Sequence, residues 1–391
     1  MKALVFSRKP TRYAAAMVAG ALRPGRGARY GPLDLEDIDL PELPGDDWAR
    51  VRPRLAGICG SDLATLDGKS SRYFEPIVSF PFVPGHEIVG ELDDDSRVAV
   101  IPVLHCVARG INPPCDMCQA GRINLCERTA YGDLEPGLQS GFCESTGGGW
   151  STAMVAHRSQ LVPVPDDLSD EAAVLIEPTA CAVHAARQVS DNEVAVIGSG
   201  ALGLLTIAAL HALNRPAHIL IATAKHAEQR MWAKELGADL VCEPGELERM
   251  VRSESRSFLL GNGQLSCGID AVVDCVGSEE SLAQALRVAA PGGTIHAVGM
   301  PGVTTLDLTP LWHREIRLRG AYAYTTGQEG EPDDFGAAIE LIRELGLERL
   351  VSATYPLARY QDAIAHAATA GRCGAVKVAF DLRNEKERFR L

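Results

Sequence analysis

Val194-Ala195-Val196-Ile197-Gly198-Ser199-Gly200-Ala201-Leu202-Gly203 is the stretch that decides the fold. Its four apolar residues read as a buried strand. A G-x-G-x-x-G pattern follows at once, and Leu202, Leu205, Ala209 and Leu213 then recur at helical spacing. The pattern alone is weak, because glycines coincide by chance. Its place between a strand and a helix gives it weight. The first glycine permits a tight turn, the second lets backbone approach a pyrophosphate, and the third packs helix on strand. The helix N-terminus adds amides and a partial positive charge. Gly198, Ser199, Gly200, Ala201, Leu202 and Gly203 are therefore candidate contacts to a dinucleotide.

Downstream the pattern repeats. His218 to Ala222 reads as a second strand, and residues 226–236 as a helix stopped by Gly237. Residues 269–274 read as a strand, and 279–290 as a helix stopped by Pro291-Gly292-Gly293. Thr294 to Val298 is a further strand. Strands alternating with helices predict an α/β fold, a parallel sheet with crossover helices. The second strand ends Ala222-Thr223-Ala224-Lys225-His226, with no acid before Glu228. An NAD site usually places Asp or Glu there for the ribose 2′-hydroxyl. Here Lys225 holds that place and Arg230 follows a turn later, so NADP is favoured and NAD remains possible.

The rest of the chain differs in texture. At 391 residues two domains are expected. We place the boundaries at 1–186, 187–325 and 326–391. The first part is rich in Gly, Pro and Cys, with short apolar runs, which predicts irregular β structure. The last part holds two helical patterns, 333–345 and 360–370, a strand at 375–380 and a charged tail from Arg383. A net charge of −13 without a long basic run excludes a nucleic-acid groove. No apolar run is long enough for a membrane helix. The Ala14–Leu22 run is too short and too closely followed by arginines for a signal peptide. Eleven cysteines, four of them clustered, favour metal ligation in a reducing cytoplasm over disulfides.

Cys115-x2-Cys118-x7-Cys126, with Cys106 nearby, suits a closed tetrahedral zinc of structural role. Cys59, His86 and one carboxylate would make an open three-ligand zinc site, but their spacing alone says little.

Together these motifs resemble the zinc-containing medium-chain dehydrogenase/reductase family of alcohol, sorbitol, threonine and glucose dehydrogenases. The motifs are Gly57-Ile58-Cys59-Gly60-Ser61-Asp62, Gly85-His86-Glu87, the cysteine loop, Glu177-Pro178, the glycine turn and Asp274-Cys275-Val276-Gly277. The resemblance implies a GroES-like, β-rich catalytic domain formed by both chain ends, a Rossmann domain between them, and an active site in the cleft. It implies Cys59, His86 and Glu177 as catalytic zinc ligands, with Glu87 able to replace Glu177. It implies Asp62 as the group that orients His86, and Ser61 as the hydroxyl on the substrate oxygen. Thr223, Cys275, Val276 and Val298 join the implied cofactor contacts. The implied reaction moves a hydride between a small alcohol or polyol, or the matching carbonyl compound, and the nicotinamide, with zinc acting on the substrate oxygen. A homodimer or homotetramer is implied, with residues 318–324 as a pairing strand.

Several features depart from the family pattern. Ala64 stands where a relay histidine is common. Eight residues, Val107 to Pro114, separate Cys106 from Cys115, where two are usual. The stretch after Gly90 is short, and residues 10–30 look inserted. Ser70-Ser71-Arg72-Tyr73-Phe74 either shapes the pocket or lies on the surface. The rivals are a zinc-free enoyl or quinone reductase of the same fold, against which the cysteine loop argues, and a non-enzymatic dinucleotide-binding protein.

Overall fold

The structure, a computed structural model, describes residues 1–190, 193–213, 219–261, 264–327 and 333–385. The chain divides into two compact units. One comprises Met1–Glu177 with Tyr324–Leu391, and the other Pro178–Ala323.

The second unit is built on a six-stranded sheet. Its order is Leu240–Cys242, Ile219–Thr223, Glu193–Ile197, Ile269–Asp274, Ala289–Ala297, Arg317–Gly320, with every pairing parallel. In chain order this is 3-2-1-4-5-6, the doubly wound arrangement whose switch point lies beside the first strand. Ala195, Ile197, Ile221, Val272 and Ile295 form its buried core. Helix Ala227–Glu235 ends just before Gly237, which takes φ +111°. His218, expected in the second strand, lies outside the described residues.

One boundary differs from expectation. The helix Glu279–Val288 stops before Pro291, and the strand already begins at Ala289. Ile269 pairs with Ala289 and Ala271 with Thr294, so Pro291-Gly292-Gly293 loops out within the strand. The Gly292 amide there donates to Arg314 O at 2.8 Å, a distant partner that local sequence does not show.

The first unit is β-rich. A seven-stranded sheet runs Val351–Tyr355, Lys377–Asp381, Trp48–Gly57, Ile88–Glu91, Arg97–Val100, Leu161–Pro163, and Met154–His157 also pairs with Trp48–Gly57. Strand Lys2–Phe6 pairs separately with Leu33–Asp37. The inserted-looking residues fold as helices Pro10–Leu22 and Gly27–Tyr30. The Asp67 carboxylate anchors the turn between them, accepting the Gly25 and Gly27 amides at 2.9 Å each. No helix among the described residues is long and apolar enough to cross a membrane.

Candidate active site and metal centres

Antiparallel pairing sets Ala56 opposite Ile88 and Gly57 opposite Ala379. The finishing end of the central strand thus lies beside the starting ends of both neighbours. Cys59 follows the first of these strands, His86 and Glu87 precede the second, and Lys377 opens the third. The ligand atoms of Cys59, His86 and Glu87 all lie within 4.8 Å of one another. Gly57 makes this possible, because a Cβ there would sit 1.9 Å from Glu87 Oε2.

Cys59 is the N-cap of helix Gly60–Leu66, and Asp62 Oδ2 accepts its amide at 2.9 Å. The other Asp62 oxygen lies 3.4 Å from His86 Nδ1. Ser61 Oγ lies 3.4 Å from His86 Nε2. The Asp62 carboxylate thus faces His86 from its Nδ1 side, which leaves Nε2 beside the Ser61 hydroxyl. Burial opposes a charge on His86, but Asp62, and after it Cys59, outweigh this and hold its pKa well above the usual value.

The expected residues meet with one exception. Glu177 is buried in the first turn of helix Ile176–Arg187, but it is not one of the three clustered donors. Glu87, the alternative, takes the third place. The sequence reading missed Lys377. It is 3% exposed and forms an ion pair with Glu87. Burial works against its charge, yet Glu87, Cys59 and Glu177 together raise its pKa. The available signal was a lone lysine inside the apolar run Ala375-Val376-Lys377-Val378-Ala379-Phe380. Ser70–Phe74 runs into the 3-10 helix Arg72–Ile77, which buries no residue, and Tyr73 is exposed.

Cys106, Cys115, Cys118 and Cys126 gather their sulfurs within 4.8 Å. The Cys106 and Cys126 sulfurs are 3.6 Å apart, too far for a disulfide bond. Burial raises the Cys126 thiol to about 11; it also opposes Cys115, where amide donors prevail and bring the thiol to about 7. Four thiols in this geometry fit a tetrahedral zinc, whose charge would let all four ionise. The long spacer from Cys106 to Cys115 has a structural product. It carries Arg109, fully buried, whose guanidinium donates to the carbonyls of Leu104, Tyr131, Leu134, Glu135 and Gly137.

In the second unit the glycine turn fits a dinucleotide. Gly203 lets helix and turn touch, since a Cβ there would meet Gly198 O at 1.8 Å. At Gly200 nothing lies within 4 Å of where a Cβ would be, which leaves open space at the helix start. That helix, Ala201–Ala212, has no side chain capping its first amides. Thr223 Oγ1 accepts the Gly198 amide at 3.0 Å, and Ser199 Oγ donates to Thr223 O at 2.9 Å. These two residues brace the turn. Asp274 accepts the amides of Val276 and Gly277 and so shapes the next loop. Cys275 is packed against Thr206, Val276 is exposed, and Val298 directly follows the fifth strand. Lys225 is exposed just past the second strand. The Arg230 guanidinium holds the Ala224 and Lys225 carbonyls at 3.1 and 3.3 Å and pairs with Glu243.

Comparison with known proteins agrees with this geometry. Residues 45–166 match the alcohol dehydrogenase GroES-like domain, and residues 201–344 match the zinc-binding dehydrogenase domain. The chain is 29% identical over 307 residues to a sorbitol dehydrogenase of Arabidopsis thaliana, covering 75% of this chain and 78% of that one. It is 26% identical over 367 residues to an L-idonate 5-dehydrogenase of Vitis vinifera, covering 90% and 92%. A Sinorhizobium meliloti structure assigned as a zinc-binding dehydrogenase and bound to NADP superposes with a TM-score of 0.69 at 25% identity, covering 89% and 96%.

Proposed function

Because the chain belongs to the zinc-dependent medium-chain dehydrogenase family, we propose that it oxidises a small polyol or related alcohol, or reduces the matching carbonyl compound, with a nicotinamide dinucleotide. The observation that carries this reading is the meeting of half-buried Cys59 with buried His86 and Glu87, the Ser61 hydroxyl beside His86.

A zinc ion held there would supply Lewis acidity to the substrate oxygen, and the nicotinamide would exchange the hydride. The protein's part follows from its own contacts. Asp62 orients the imidazole of His86. Ser61 Oγ is placed to hydrogen-bond the substrate oxygen and to take its proton. With Ala64 in place of a histidine, that proton leaves Ser61 through water or the ribose. The Lys377 ammonium holds Glu87 in place. The test is a panel of polyols, sugars and simple alcohols assayed with NADP and with NAD, followed by nicotinamide absorbance. Turnover of none of them by the zinc-loaded protein would sink the reading.

Glu87 and Glu177 compete for the third ligand position. We assign it to Glu87. Glu87→Gln is expected to weaken zinc at this site roughly 100-fold or more, since even changes to groups behind the ligands cost about 10–100-fold. Glu177→Gln is expected to leave the zinc content unchanged. Metal analysis after dialysis against a mild chelator distinguishes the two, and the reverse pattern reassigns the ligand.

NADP is the favoured cofactor, on the strength of Lys225. Lys225→Gln is expected to raise KM for NADP about ten-fold, the worth of one charge-assisted hydrogen bond. KM for NAD should barely move. Equal effects on both would remove Lys225 from 2′-phosphate recognition. The four cysteines at the second centre hold the structural zinc in this reading. Assembly as a homodimer or homotetramer is proposed through edge strand Arg317–Gly320, whose side chains are all exposed. A reducing compartment such as the cytoplasm suits eleven free thiols.

A further inference from the structure

The sheet of the second unit carries a cavity that the proposed reaction does not use. Thr294 pairs with Arg317, and His296 with Arg319. Residues two apart on a strand share a face, so these four side chains stand together on one face at the sheet edge. With Gln188 and Ser190 they line a cavity of about 210 Å³. Thr294 shares a register level with Val194 and Ala271, near the starting ends of the strands. The glycine turn leaves from the finishing ends, so the two sites are distinct.

Two features of this cavity suit an anion. Among the described residues, two guanidiniums share it, no carboxylate lines it, and neither arginine forms an ion pair. Arg317 donates from Nε to Thr294 Oγ1 at 3.1 Å and from Nη2 to Gly292 O at 2.9 Å, which holds its guanidinium in place. His296 is 1% exposed, yet among the described residues neither of its ring nitrogens has a hydrogen-bond partner. Burial, then Arg319 and Arg317, lower its pKa to about 4. At neutral pH the ring therefore offers one donor and one acceptor. Unpaired polar atoms at such depth are rare and unfavourable.

We propose that this cavity binds a small oxyanion of the phosphate class, either inorganic phosphate or a phosphate monoester. A dianion would balance both guanidiniums through charge-assisted hydrogen bonds. Thr294 and Ser190 add hydroxyls, and the His296 N–H adds a donor. The acceptor nitrogen of His296 suits the remaining P–OH of a monoprotonated phosphate. A cation would be repelled by the arginines, and an apolar ligand would leave the imidazole unpaired.

Calorimetric titration of the zinc-loaded protein with inorganic phosphate, in a zwitterionic buffer, tests this. One equivalent is expected to bind. Arg319→Gln and Arg317→Gln should each weaken it about ten-fold or more, while Lys225→Gln should leave it unchanged. Both side chains are exposed in the single chain, so the variants should keep the parent melting temperature in phosphate-free buffer, and an unchanged subunit number excludes an effect through the proposed Arg317–Gly320 seam. A second titration with glycerol 3-phosphate separates the two sources. Tighter binding than inorganic phosphate identifies a monoester, and weaker binding identifies the free anion. Absence of binding by either probe overturns the proposal. So does binding that the arginine variants leave intact, whether Lys225→Gln abolishes it or not.

Discussion

Cys59→Ala is expected to cut turnover about 1,000-fold or more, while affinity for the dinucleotide stays unchanged. The size follows from what the metal contributes. Lewis-acid stabilisation of charge on the substrate oxygen is worth several kcal/mol, and about 4 kcal/mol corresponds to about 1,000-fold in rate. The alanine removes the only soft donor of the three clustered side chains. His86 and Glu87 would remain, with Glu87 already engaged by Lys377. The proposed dinucleotide contacts lie on the glycine turn of the other unit, whose braces at Thr223 and Ser199 do not involve Cys59. Steady-state assays, fluorescence titration with reduced nicotinamide and metal analysis give the three readouts. Wild-type turnover in a preparation lacking the catalytic metal would remove Cys59 and its metal from the mechanism.

How far this site was legible depends on where the information resides. The glycine turn was readable because strand, turn and helix are contiguous, and each glycine has a local reason. The parallel sheet followed from alternation along the chain, and the α/β class with a GroES-like unit and a Rossmann unit stands in the structure. Cys59 and His86 gained weight only through resemblance, since nothing local joins residues 27 positions apart. What brings them together is the pairing of Trp48–Gly57 with Ile88–Glu91, a long-range fact. The third ligand, a carboxylate, was harder still. Glu177 and Glu87 both sit in plausible motifs, and only the fold shows that Gly57 leaves room for the Glu87 carboxylate. Lys377 was invisible for the same reason. Its partner comes from another strand, and along the chain it is one polar residue among apolar ones.

The elongated cysteine loop shows how a departure from a family pattern can have a physical use. Arg109 lies in that added segment, and Arg109→Ala is expected to destabilise the protein by about 3–5 kcal/mol, the usual cost of removing one member of a buried charged network. Five backbone carbonyls would lose a donor at once, that of Glu135 keeping the Cys143 thiol. Buried acceptors left unpaired are expensive, and the space vacated by a fully buried side chain adds a cavity cost. A second loss compounds the first. The guanidinium lies near the thiols of Cys143, Cys126 and Cys106. A zinc held by four thiolates carries a net charge of −2, which a buried cation offsets. Arg109→Ala should therefore also release the structural zinc at lower chelator concentration. Arg109→Lys should rescue little, because one ammonium cannot reach carbonyls that the planar fork spans. Denaturant unfolding with parallel zinc release measures both effects. An unfolding midpoint and zinc retention equal to wild type would show that residues 131–137 hold the cysteine lobe without the arginine.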